Sequence, residues 1–174
     1  MLRRIANYEQ PPMKLQGTYR VPASRSEVWS ALLDPAILRR SIPGCEKLEP
    51  AGQNKYNATF RAGVGAIKGT FSGEVELSDL DPQNAYTLRS RVKSPVGFVE
   101  GSGRIQLSDS SPGAVETVVS YSGDAKIGGM LASIAGRLIE AAAKKNMDEM
   151  FANLTREVQR RTAAQATPAP QQAS

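Results

Sequence analysis

A chain of 174 residues has the length of one domain, large enough to bury a core and still enclose a pocket. With no histidine and one cysteine, Cys45, it cannot build an intramolecular disulfide, a thiol–imidazole zinc site or the usual proton shuttle of neutral pH, and the cytoplasm is the expected compartment. The formal charge of +5 is divided among short pairs such as Arg39 and Arg40 or Arg160 and Arg161, and aromatic content is only 6%, so no nucleic-acid surface is expected.

Residues 1–12 close on Pro11 and Pro12 and lack the apolar middle of a secretory signal; they read as a flexible arm, with the domain starting at Met13. Leu15, Gly17, Tyr19 and Val21 then alternate with Lys14, Gln16, Thr18 and Arg20, the pattern of a half-buried strand. Ser26 is expected to cap a short helix carrying Val28, Trp29, Ala31, Leu32 and Leu33. Asp34 and Pro35 open a second short helix with Ile37 and Leu38.

A meander of antiparallel strands follows, divided by turn signals at 51–54, 81–84 and 109–113. Its clearest run places Ile67, Gly69, Phe71, Gly73, Val75 and Leu77 on one face and Lys68, Thr70, Ser72, Glu74 and Glu76 on the other. From Gly129 the apolar period becomes helical through Leu131, Ile134, Leu138, Ala142, Met147, Met150, Phe151, Leu154 and Val158, which predicts one helix to about Arg161. Residues 162–174, rich in Ala, Gln and Pro, read as a disordered tail, and no stretch has the ~20 apolar residues of a membrane span. Strands followed by a long helix on one sheet face define an α+β domain over residues 13–161.

The face expected to meet the long helix holds Gly17, Gly69, Gly73, Gly97, Gly101 and Gly103 among Phe71, Val99, Ile105, Val115, Val119 and Tyr121. Glycine weakens a strand by roughly 0.5–1 kcal/mol relative to alanine, so the cluster needs a cause. Either the glycines let the sheet coil and the backbones approach, or the missing side chains leave a cavity for an apolar ligand. Both readings stand at this point. Met130, Met147 and Met150 add adaptable thioethers to the same region.

Five segments carry a family resemblance: Lys14–Pro22 (KLQGTYRVP), Val28-Trp29, Ile42-Pro43-Gly44-Cys45, Leu77–Pro82 (LSDLDP), and Gly128–Leu131 leading into Arg137-Leu138-Ile139. Together they resemble the CoxG family of carbon monoxide dehydrogenase, a branch of the START-like (SRPBCC) ligand-binding superfamily, over about Met13 to Phe151. The resemblance implies a helix-grip fold, in which a curved antiparallel sheet wraps a long C-terminal helix with two short helices after the first strand, enclosing a deep hydrophobic cavity. It also implies association with molybdenum-containing hydroxylases such as carbon monoxide dehydrogenase, in their maturation or membrane attachment, and it does not imply catalysis. One cysteine cannot hold an iron–sulfur cluster, and no metal or flavin ligand set is visible.

Three functions follow as expectations. The first is a non-catalytic carrier of an apolar molecule, menaquinone, ubiquinone or another isoprenoid lipid, serving such a hydroxylase. Its cavity lining is assigned to Phe60, Ile67, Phe71, Tyr86, Val99, Tyr121, Leu131, Ile134, Leu138 and Met150. The second is an adaptor that brings the enzyme to the inner membrane surface through Arg137, Lys144, Lys145, Arg156, Arg160 and Arg161, unless these pair with Glu140, Asp148, Glu149 and Glu157. The third is an enzyme of the aromatase/cyclase kind, for which Glu100 is the acid to inspect although its register points outward. Cys45 is assigned no chemical role, since a lone buried thiol is usually an inert small hydrophobe.

Overall fold

A computed structural model describes residues 12–134 and 136–166; most of the expected arm and the end of the expected tail lie outside the described residues. Strand β1 (Met13–Val21) leads into helices α1 (Arg25–Leu32) and α2 (Pro35–Ser41). Strands β2 (Cys45–Gly52), β3 (Lys55–Val64), β4 (Ile67–Asp81), β5 (Ala85–Ser94), β6 (Gly97–Asp109) and β7 (Thr117–Gly128) follow, then helix α3 (Gly136–Ala166). The strands form one antiparallel sheet in the order β1-β7-β6-β5-β4-β3-β2. Because β1 and β2 are its opposite edges, α1 and α2 carry the chain from one edge to the other across one end of the sheet. This is the helix-grip, START-like fold.

Local chemistry accounts for the elements. The cap of α1 is Ser24 rather than Ser26: its hydroxyl accepts from the Glu27 amide at 3.3 Å while the Glu27 carboxylate accepts from the Ser24 amide at 3.0 Å. The Ser-x-x-Glu spacing of this capping box starts at residue 24 and satisfies two amides that Ser26 could not reach together. Helix α2 begins as expected, with Asp34 accepting from Ala36 and Pro35 at the first position. In β4 the expected alternation holds, with Phe71 and Leu77 buried and Lys68, Thr70, Ser72, Glu74 and Glu76 exposed.

The last third of the chain departs from the sequence expectation at three places. Val115 is 71% exposed in the β6–β7 connection, because the loop through Pro112 and Gly113 delays the strand until Thr117. Residues 129–133 form a separate 3₁₀ turn, since Gly129 has φ +72° and the Leu131 amide donates to the Val96 carbonyl of the β5–β6 hairpin instead of continuing a helix. At its other end α3 continues five residues past Arg161, through helix-favouring alanines and a Thr162 hydroxyl bonded to Glu27 at 3.0 Å.

The apolar interior divides in two. The larger cluster joins Val28, Ala31 and Leu32 of α1 to Val119, Phe151, Leu154 and Val158, at the end closed by α1 and α2. The smaller joins Phe71, Val92 and Leu131, with Phe60, Ile67, Val96, Val99, Ile127 and Ile134, at the end of the 3₁₀ turn. Helix α3 is buried against the first at Phe151, Leu154 and Val158, whereas none of its described residues before Phe151 is fully buried.

Candidate functional site

Between the two clusters, beneath the middle of α3, lies an apolar cavity of about 320 Å³. The sheet register builds its floor. Ser90, Gly101 and Ala125 face one another across β5, β6 and β7, and in the next inward row Leu88, Gly103, Gly123 and Leu15 run from β5 to β1. Five of these seven residues are no larger than serine, so the sheet centre recedes where a core would ordinarily place branched aliphatics. Met147, Met150 and Phe151 of α3 and Leu32 of α1 form the roof, and Tyr86, Val99, Ile105 and Tyr121 form walls.

The glycines separate by cause. A side chain at Gly73 would run into the Arg91 carbonyl, so this residue serves close approach of β4 and β5. One at Gly17 would meet the Tyr121 ring at 2.7 Å, so this glycine is the bed on which the tyrosine lies. At Gly101 the nearest atoms stand 3.5 Å and 3.6 Å away, ordinary contact distances, and the residue borders the cavity. Both readings of the glycine cluster therefore apply, at different positions.

Of the ten residues assigned to a lining, the structure brings Tyr86, Val99, Tyr121 and Met150 to the cavity. Phe60, Ile67, Phe71, Leu131 and Ile134 pack together in the smaller cluster, where Phe60 and Phe71 stack at 5.7 Å, and plug one end of the interior. Leu138 is 57% exposed, because the 3₁₀ turn and the restart at Gly136 rotate it off the inward stripe. Leu15, Leu88, Gly123 and Ala125 line the cavity and were missing from the assignment. Their signal was present in the strand alternation, read from the small residues of β7 as well as the large.

The cavity has two kinds of polar handle. Tyr86 is 4% exposed, and burial raises its hydroxyl above the ordinary phenol range, with Tyr56 adding to the effect, so it stays a neutral donor. Tyr121 and Leu15 border both the cavity and an outer groove between β1 and α3, which also holds Tyr19, Glu140, Lys144 and Asp148. In that seam the Tyr19 hydroxyl donates to Asp148 at 2.5 Å and Lys144 donates to the other Asp148 oxygen at 3.0 Å. Burial first, then this hydrogen bond, pushes the Tyr19 hydroxyl up; the bonds from Tyr19 and Lys144 hold Asp148 down.

Other candidates fall outside the cavity. Glu100 pairs with Arg91 at 3.3 Å on the outer face. Cys45, its thiol pushed up by burial, donates to the Lys47 carbonyl at 3.5 Å. On α3, Lys144 pairs with Asp148, Arg160 with Glu157 and Arg161 with Asp34, while Arg156 donates to Asn153. Among the described residues no cluster of His, Cys, Asp and Glu suits a metal, and no helix is long and apolar enough to cross a membrane.

Residues 17–159 match the family described as the CoxG component of carbon monoxide dehydrogenase. The chain belongs to the CoxG family. Among solved structures, a conserved protein from Geobacillus kaustophilus is 31% identical, with 85% of this chain and 96% of that one covered at a TM-score of 0.80. The Zhui aromatase/cyclase from Streptomyces sp. R1128 shares 20% identity over 91% of this chain and 100% of its own, at a TM-score of 0.67. A START superfamily protein from Mycobacterium smegmatis shares 11% over 84% and 97%, at 0.64. The last two establish the fold alone. No curated protein matches the sequence. For a CoxG-family member on a START-like frame, a ligand-binding role is the one supported.

Proposed function

We propose that this CoxG-family chain is a non-catalytic carrier that holds an apolar molecule, a membrane quinone or related isoprenoid lipid, and serves a molybdenum hydroxylase of the carbon monoxide dehydrogenase type. The observation that carries the reading is the apolar hollow over Gly101 and Gly103, roofed by Met147 and Met150. An empty apolar space of this size forfeits packing contacts, and a ligand that fills it recovers them. A volume of about 320 Å³ suits a ring and the first part of a chain better than a whole long isoprenoid. The ring enters beside Tyr86, a protonated donor suited to a quinone carbonyl, and the chain leaves along the β1–α3 seam past Tyr121. The family name supplies the partner enzyme: a soluble oxidoreductase needs an acceptor that dissolves in lipid, and a dry pocket shields it in transit.

Organic extraction of the purified protein followed by mass spectrometry tests the reading. A quinone at near one-to-one stoichiometry is expected from the wild type and is lost from Gly101→Phe, whose ring occupies the hollow. An empty cavity or a random lipid mixture in the wild type would overturn it. A cyclase-like activity is disfavoured by the placement of Glu100 outside, paired with Arg91.

A further inference from the structure

Two hairpin turns and the entry to α3 meet at the end of the molecule opposite α1 and α2. The β3–β4 turn follows Val64, the β5–β6 turn holds Pro95 and Val96, and the 3₁₀ turn is bonded to the latter through the Leu131 amide and Val96 carbonyl at 3.1 Å. Gly69 lies against Val96, and Gly97 against Leu131, so the three segments form one continuous rim.

The rim is unusual in two respects at once. Segments 61–70, 91–98 and 126–138 contain Arg61, Lys68, Arg91, Lys93, Lys126 and Arg137 and none of the 17 acidic residues of the chain. Arg61 and Arg91 pair with Glu46 and Glu100 on neighbouring strands, and Glu140 stands one turn beyond Arg137. Lys68, Lys93 and Arg137 are exposed and make no ion pair among the described residues. Between these cations the rim exposes Met130 (58%) and Leu138 (57%), two of the three large hydrophobics most open to solvent. An apolar tip ringed by cations, with acids absent, complements an anionic lipid surface: the head groups meet Lys and Arg while Met and Leu enter the acyl boundary.

We infer that this rim docks the protein on an anionic bilayer, with Met130 and Leu138 inserted and Lys68, Lys93 and Arg137 on the head groups. The inference deepens the carrier reading, on which it rests for its purpose: the rim covers the cluster of Phe60, Phe71, Leu131 and Ile134 that plugs the interior, and Val99 belongs both to that cluster and to the cavity wall. It also moves the membrane contact away from the outer side of α3, where Lys144, Arg160 and Arg161 are engaged by carboxylates of the chain itself.

Flotation with vesicles of phosphatidylglycerol and phosphatidylcholine in equal parts, against phosphatidylcholine alone, tests the docking. The wild type is expected to float with the anionic vesicles only, and less so as salt is raised. Each cation neutralised costs about fivefold in affinity, so Lys68→Gln, Lys93→Gln and Arg137→Gln together cost on the order of a hundredfold. Met130→Asp with Leu138→Asp abolishes flotation, whereas Lys145→Gln with Arg160→Gln on the outer side of α3 stays within about fivefold of wild type. All these positions are exposed, and unchanged thermal melts confirm that each variant folds. A wild type that ignores anionic vesicles, rim variants that float normally, or loss confined to the α3 pair would each overturn the inference. Quenching of Trp29, which packs against Tyr86 at 5.7 Å, by decylubiquinone in vesicle-free buffer reads the cavity separately. Rim variants should keep the quenching. A wild type that floats without quenching supports the rim and sinks the carrier reading, and one that quenches without floating does the reverse.

Discussion

Gly73 and Gly101 occupy the same face of the sheet and look alike in the sequence, yet a Cβ at the first collides with backbone and at the second enters open space. Gly73→Ala should therefore destabilise the protein by about 1–3 kcal/mol through overpacking. Gly101→Ala should be neutral or stabilising by up to about 1 kcal/mol, since alanine suits a strand better than glycine. Urea unfolding of the two variants checks the contrast; equal losses would refute the assignment of the cavity floor. The Tyr19–Asp148–Lys144 group makes a second residue-scale prediction. Asp148 is held below the ordinary carboxylate range, so the stability it adds is present above that range and is lost as pH falls through it. Tyr19 is held above the ordinary phenol value of 10.0, so at alkaline pH the unfolded chain ionises first and stability declines as pH rises past that value. Thermal melts across pH should narrow from both sides, and Tyr19→Phe should flatten both limbs.

At the scale of elements, α3 is two helices in one. Its C-terminal half is fixed by buried Phe151, Leu154 and Val158 and by ties to α2: Asn153 donates to the Ser41 carbonyl at 3.0 Å, and Arg40 pairs with Glu157 at 3.1 Å. Its N-terminal half spans the cavity, and its closest polar tie to the sheet is Tyr19 to Asp148. Local opening is governed by buried apolar contact, so amides in residues 137–149 should exchange with deuterium faster than those in 150–160. Loading the cavity should slow the first set far more than the second. Uniform protection along α3 would argue that the cavity is not a site of loading. The strands, by contrast, were legible from alternation alone, because a one-residue slip would exchange the charged face of β4 for Phe71 and Leu77. The helix pattern misled at Leu138 because a 3.6-residue period cannot register a glycine that turns the chain before the helix starts.

For the molecule as a whole, charge and hollowness are arranged along one axis: a closed end under α1 and α2, a cavity in the middle, and a cationic apolar rim at the far end. The rim is assembled from three segments separated by some 30 residues each, so its lack of acids is invisible until the hairpins bring the segments together. Composition and local periodicity by themselves determined the α+β class, the antiparallel meander, the long C-terminal helix and, through short motifs, the family, because each depends on neighbours in the chain. They also set the inward face to which the cavity belongs. Only the tertiary structure decided which inward residues face empty space. Phe60 and Phe71 share the inward register with Gly101, but they meet each other and Leu131 at the plug, while Gly101 and Gly103 lie under the part of α3 that no large side chain fills. A residue's register fixes the side to which it points; the packing of distant elements fixes whether anything is there to meet it.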